Sequence, residues 1–326
     1  MRIIALEEHY LDPEVARHYK EAGPEARDAG LRERLHDVGE LRIREMDEAG
    51  IDLQVLSHSA PATQRFDADT APAIARAAND RLRERVRASN GRFEAFAALP
   101  TANPRAAADE LERAVIRLGF KGAMIHGLTN GRFIDERQFW PIFERAQALD
   151  VPIYIHPAVP HPAVVEAYYR DYLKEFPGLL TAAWGFTVET ATQGIRLVLS
   201  GVFEEYPALK IILGHLGESL PFSLWRIDMA LSRDRGNSSQ GNRASAFRDT
   251  FRRHFWITTS GNFSTPALLC CVMEMGADRI LFSVDYPFVP NPPGVRWMEH
   301  VPLGPEDREK ILGGNAKRLL KLPSGM

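Results

Sequence analysis

Three consecutive residues near the start of the chain, Glu7-Glu8-His9, supply two side-chain types that hold divalent cations. In a β-strand, alternation sends Glu7 and His9 to one face and Glu8 to the other. A carboxylate oxygen and an imidazole nitrogen placed in this way suit one ion such as Zn²⁺ or Mn²⁺. The pattern Glu-x-His is too short to stand alone. His156 and Asp285 can complete the ligand set, because each follows a short apolar run as Glu7 does. Of the ten histidines, His9, His58, His126, His156 and His215 all fall at or just past the end of such runs. One histidine there is usually satisfied by backbone, but five at equivalent points imply a shared location. His18, His36, His161, His254 and His300 fall in loops or at strand starts and ask for no function.

The elements that must position these residues are short apolar runs alternating with helical patterns. The strands expected are Arg2 to Leu6, Ile51 to Ser57, Phe93 to Ala98, Gly122 to Ile125, Val151 to Ile155, Lys210 to Leu213, Phe255 to Thr259 and Ile280 to Val284. The helices expected are Leu41 to Ala49, Pro72 to Ala88, Ala106 to Leu118, Glu136 to Leu149, Val188 to Glu205, Ser219 to Leu231, Pro266 to Met275 and Glu306 to Leu320. Strands this apolar, each followed by a helix, fit an α/β fold of the (β/α)₈ TIM-barrel type, read as a single domain over residues 1–326. A doubly wound open sheet fits less well, because no Gly-x-Gly-x-x-Gly follows the first strand. Two connections exceed the usual length, Tyr10 to about Glu40 after strand 1 and Pro157 to about Thr187 after strand 5. Both leave the strand ends where a barrel keeps its site, so they are expected to act as lids or walls. The stretch Arg233 to Ala246, rich in Ser, Asn, Gly and Arg, reads as a polar surface loop.

Composition narrows the function further. The 326 residues are 45% hydrophobic and 25% charged, as in ordinary globular proteins. Forty basic against 43 acidic residues leave no basic field for nucleic acid or an anionic membrane. The two cysteines, Cys270 and Cys271, are adjacent and poorly placed for a disulfide, so a reducing, cytoplasmic setting is expected. No apolar run is long enough to span a bilayer, and MRIIALEEHY lacks a signal-peptide core.

Four motifs fall in order at the expected strand ends: ALEEH at 5–9, YIHP at 154–157, ILGHLGE at 212–218 and LFSVDYPF at 281–288. With LSHSAPATQ, FAALPTANP, WGFTVETA and TSGNF between them, the chain resembles the amidohydrolase-related superfamily over nearly its whole length. Within it the chain is similar to the metal-dependent benzoate decarboxylase branch, which includes γ-resorcylate and 2,3-dihydroxybenzoate decarboxylases. The resemblance implies Glu7, His9, His156 and Asp285 as metal ligands, His215 and Glu218 as a catalytic histidine and its carboxylate partner, and a homo-oligomer, dimer or tetramer. Arg226 matches an arginine in the following helix. Binuclear relatives carry His-x-His and a carboxylated lysine after strand 4, but this chain has Glu7 and, in KGAMIHG, a lysine at the wrong end of the strand. One divalent ion per chain is therefore expected. His126, Ala158, Val284 and Tyr286 depart from the best-known dihydroxybenzoate enzymes, as does the connection after strand 5.

A single ion in an apolar mouth can chelate two substrate oxygens or act as a Lewis acid. The resemblance points to non-oxidative decarboxylation of a small ortho-hydroxy aromatic acid, with Asp285 protonating the ring carbon and Trp184, Phe186, Phe288, Arg226 and His126 about the substrate. An ionised ligand carboxylate must then gain a proton although its reference pKa is about 3.9. The competing chemistry is hydrolysis of an ester, lactone or amide by activated water, with Asp285 as base. A barrel that has lost catalysis and serves as a scaffold is a third class, and metal analysis separates it from the other two.

Overall fold

The computed structural model describes residues 2–19, 28–235 and 247–323. Eight strand positions follow one another in chain order: β1 (Ile4–Tyr10), β2 (Leu53–His58), β3 (93–98, in two pieces, Phe93–Ala95 and Ala97–Ala98), β4 (Ala123–His126), β5 (Ile153–His156), β6 (Ile211–Leu213), β7 (Phe255–Thr258) and β8 (Ile280–Leu281). Every ladder joins neighbours in sequence and is parallel, giving the (β/α)₈ barrel. β3 carries the sheet past an interruption at Phe96, whose N–H donates to Leu56 O before Ala97 N–H turns to Gly122 O.

Alternation along the strands builds two apolar layers. Leu6, Val55, Phe96, Met124, Tyr154, Ile212 and Leu281 fill the barrel interior, whereas Ile125, Ile155 and Leu213 pack outward beneath the helices. Ala316, Leu319, Leu320 and Leu322 close the floor from the C-terminal end of the chain.

The seam between β8 and β1 is made differently. His9 N–H donates to Tyr286 O, and the Glu8 carboxylate accepts from Val284 N–H (2.9 Å), Tyr286 N–H (3.1 Å) and Ser283 Oγ (3.1 Å). Burial pushes the Glu8 carboxyl up to about 8 against the opposing pull of the two backbone donors. Arg42, fully buried, donates to His9 O (2.5 Å), Asp37 O and Arg34 O, and its guanidinium lies 4.6 Å from the Tyr286 ring centre.

Several expectations need correction. β1 runs on to Tyr10 rather than ending at Leu6, so Glu7, Glu8 and His9 sit inside the strand; the ladder slips between Ala5 and Glu8, a bulge that re-aims these side chains. The helix expected from Val188 to Glu205 is two, Gly185–Leu199 and Val202–Glu205, parted at Gly201. Phe247–His254 and Asn291–His300 are helices the pattern did not announce. The first is rich in arginine, and the second begins with a Pro-Pro pair that reads as a breaker but occupies the first helical turn. The expected polar loop begins later, since a helix continues to Arg235; residues 236–246 lie outside the described residues. The long connections hold helical turns, Pro13–Ala16 and Ala29–His36 after β1, and Pro162–Val164, Val165–Tyr169, Arg170–Tyr172 and Pro177–Leu180 after β5. Among the described residues no helix is long and apolar enough to cross a membrane.

Candidate active site

Glu7 and His9 of β1, His156 at the end of β5 and Asp285 just past β8 converge above the apolar interior. One ligand atom from each lies within 4.8 Å of every other. His9 Nε2 stands 3.2 Å from Asp285 Oδ1, and His156 Nε2 stands 3.2 Å from Glu7 Oε1. Glu7 Oε1 and His9 Nε2 are buried without a hydrogen-bond partner. Orphaned buried atoms of this kind are costly unless something else binds them. The imidazoles are also oriented for ligation: His156 Nδ1 donates to Pro157 O (2.7 Å), leaving the Nε2 lone pair for the cluster, and His9 Nδ1 lies 3.3 Å from Ser57 Oγ. Two carboxylates and two imidazoles fit a single divalent ion such as Mn²⁺ or Zn²⁺.

His215 and Glu218 stand beside this cluster on an unusual turn. His215, Leu216, Gly217, Glu218 and Ser219 all have positive φ, between 49° and 73°, as does Asp285 at 73°. Such a conformation costs a non-glycine residue about 1 to 3 kcal/mol, and it persists where the surroundings enforce it. The left-handed turn folds Glu218 back onto His215, whose Nδ1 lies 2.7 Å from Glu218 Oε1. His215 Nε2 is thereby aimed at the ligands, 3.8 Å from Glu7 Oε1 and 3.9 Å from Asp285 Oδ2.

The charges follow from this packing. Burial would raise Glu7, but the facing His215, His156 and His9 outweigh it and hold the carboxylate well below its usual range. Burial works against a charged His9, yet the facing carboxylates of Asp285 and Glu7 outweigh it and push it up to about 9. His215 is likewise raised well above its ordinary value, with burial overcome by the charges of Glu218 and Glu7. Asp285 is lowered, because His215 and His9 outweigh its burial.

A family model described as Amidohydrolase matches residues 14–322. The chain belongs to the amidohydrolase family. It is 43% identical to a γ-resorcylate decarboxylase of Polaromonas sp. (strain JS666), over 98% of each chain. The crystal structure of a dihydroxybenzoic acid decarboxylase from Polaromonas sp. JS666, with bound manganese and the inhibitor 2-nitroresorcinol, superposes with a TM-score of 0.88 at 42% identity, covering 98% of this chain and 97% of that one. A 2,6-dihydroxybenzoate decarboxylase complexed with 2,6-dihydroxybenzoate superposes with a TM-score of 0.88 at 41% identity, over 99% of both chains. These relatives place the chain among the carboxy-lyases of the amidohydrolase family rather than its hydrolases. Lys121, ahead of β4, pairs with Glu94 at 3.5 Å and takes no part in the cluster.

The remaining residues singled out within this amidohydrolase frame divide into two groups. His126 pairs in register with His156, their ring centres 4.8 Å apart, and Phe288 packs edge-on against His9 at 5.6 Å. Burial, then the neighbouring histidines, depress His126 well below its ordinary value, so it is neutral. Trp184 and Phe186, at the start of the helix Gly185–Leu199, make no ring contact with these imidazoles among the described residues, and Trp184 is exposed. Arg226 is exposed and forms no ion pair or hydrogen bond among the described residues. His58 is structural: Nδ1 donates to Ser59 O and Nε2 accepts from Asp12 N–H. The sequence reading missed Gln64, whose amide brackets the His126 backbone through both N–H and C=O, and the hydroxyls of Tyr154, Thr258 and Ser260 around Glu7.

Proposed function

We propose that Glu7, His9, His156 and Asp285 hold one divalent ion, Mn²⁺ or Zn²⁺, and that the site decarboxylates a small ortho-hydroxy aromatic acid, with 2,6-dihydroxybenzoate the best match. The whole chain serves as one catalytic unit in this reading. The observation that carries it is the placement of His215 Nε2 beside Asp285 within a four-ligand cluster, in a chain more than 40% identical to dihydroxybenzoate decarboxylases.

When bound, the ion supplies a Lewis acid and a template for a phenolic oxygen and the neighbouring carboxylate. Asp285 lies at the edge of the cluster, where its carboxyl can deliver a proton to the ring carbon bearing the substrate carboxylate. His215 Nε2, 3.9 Å from Asp285 Oδ2, is the group placed to supply Asp285 with its proton. Glu218 keeps the His215 ring aimed there and stabilises its charged form. Phe288, packed against His9, and His126, packed against His156, stand beside the cluster where a planar ring would lie. The new ring C–H takes the proton, the ring-to-carboxylate bond breaks, its electrons return to the ring, and carbon dioxide leaves.

Manganese-loaded protein incubated with a panel of hydroxybenzoates in D₂O should release carbon dioxide from 2,6-dihydroxybenzoate and place one deuterium at the vacated carbon. If every hydroxybenzoate stays intact while esters, lactones or amides are cleaved, the site is a hydrolase and the assignment is wrong.

A further inference from the structure

The oxygen of Glu7 that turns away from the histidines ends in a nest of hydroxyl groups. Tyr154, from β5, and Ser260, two residues past β7, both donate to Glu7 Oε2. Thr258 Oγ1 lies 3.4 Å from the same oxygen and 2.8 Å from the Tyr154 hydroxyl, and it also bonds Ser260. All four side chains are wholly buried. Behind them stands Gly214, whose φ of −72° any residue could adopt. What the position requires is room: a Cβ there would meet Glu7 Oε2 at 2.8 Å and the Tyr154 hydroxyl at 3.1 Å.

The donors decide how Glu7 can bind an ion. A carboxylate oxygen has two in-plane lone pairs. Tyr154 and Ser260 occupy both on Oε2, and Thr258 adds a third approach, so nothing on that oxygen is left for a cation. Oε1 is the reverse: buried, without a partner, and 3.2 Å from His156 Nε2. The two oxygens of one carboxylate are thus assigned separate tasks by the surrounding hydroxyls.

We propose that Tyr154, Thr258 and Ser260, with the space left by Gly214, are positioning residues that lock Glu7 as a one-oxygen ligand and thereby set the affinity of the centre for its divalent ion. This rests on the metal-centre reading above. If the hydroxyls served only to satisfy one another in the core, removing one would lower the stability of the metal-free protein and leave ion binding alone.

The test is titration of metal-free wild type, Tyr154→Phe, Ser260→Ala, Thr258→Ser and Gly214→Ala with Mn²⁺ against a competing chelating dye, together with thermal midpoints of the metal-free and loaded forms. Tyr154→Phe and Ser260→Ala should each weaken Mn²⁺ binding by about 10 to 100-fold, the usual effect of losing a group that orients a ligand. The shift in midpoint on loading should shrink with it. Thr258→Ser keeps the hydroxyl and should keep wild-type affinity, whereas Gly214→Ala should weaken binding by displacing Glu7. Ser260→Ala deletes a single oxygen and carries the test if Tyr154→Phe does not fold. Affinities of Tyr154→Phe and Ser260→Ala within about twofold of wild type would overturn the cradle while leaving the metal centre standing. A wild-type protein that binds no ion overturns the metal-centre reading itself, and the cradle with it.

Discussion

The two ends of the barrel interior solve opposite problems. At the floor, Leu319, Leu320 and Leu322 meet Ile4, Leu53 and Leu281, and every contact is apolar and complete within the chain. At the mouth, β1 carries Glu7 and His9 and β5 carries His156, all fully or nearly buried, and Glu7 Oε1 and His9 Nε2 have no hydrogen-bond partner. Burial at the floor stabilises the fold outright. Burial at the mouth costs stability until an ion arrives, since desolvated carboxylates and imidazoles are favourable only when paired. One end holds the architecture and the other gathers the groups for chemistry, which is the usual division of a barrel between its two faces.

The largest effect should come at the mouth. Asp285→Asn keeps the shape but removes the transferable proton, so steady-state turnover of 2,6-dihydroxybenzoate should fall by about 10² to 10⁴-fold with an unchanged circular dichroism spectrum. Turnover within about threefold of wild type would move the proton donor elsewhere.

Next comes a cut at the floor. Leu320→Ala should cost about 2 to 5 kcal/mol in denaturant unfolding, the range for a buried leucine. The mouth should not notice: the rise in thermal midpoint on adding Mn²⁺ should match that of wild type. A floor variant that also loses its metal response would show that the two ends are not independent.

How much of this contrast was legible beforehand depends on the residue. The candidate ligands stood out because each closes an apolar run in the sequence, and His126 and His156 lie side by side in the β4–β5 register. Tyr154 and Thr258 were hidden because they look like ordinary strand residues; only the third dimension puts their hydroxyls against a carboxylate. The left-handed turn was hidden because HLGE contains one glycine, and nothing local signals positive φ for His215, Leu216 or Glu218. The roles read for Trp184 and Arg226 rest on the resemblance alone, since lying in or beside a motif does not say which face of a helix a residue occupies. β1 was cut short because two glutamates and a histidine do not look like strand interior, although the seam takes up Glu8 there.

Metal binding should depend on pH with a definite sign. His9 is raised to about 9 by Asp285 and Glu7 against its burial, and it must lose its proton to bind an ion. Below that value a proton competes with the metal, so affinity should rise by about tenfold per pH unit for the one proton displaced, levelling off near the raised pKa. Calorimetry at pH 7 in buffers of different ionisation enthalpy should detect about one proton released per ion. Affinity that is flat from pH 6 to 8 contradicts the His9 assignment.

The smallest effect is expected outside both ends. Arg226→Ala should change stability by no more than about 0.5 kcal/mol, as surface changes usually do, and leave kcat/KM intact. A tenfold loss of kcat/KM would return that arginine to the substrate.

The seam between β8 and β1 has a further consequence during synthesis. Glu8 and Val284, which meet there, are 276 positions apart, so the ribosome delivers the two sides of the seam far apart in time. Until Asp285 emerges, Glu7 and His9 travel with an incomplete ligand set, and the apolar plug from Leu319 to Leu322 comes later still. On the proposed ligand set, a nascent chain cannot complete the site until translation has passed β8.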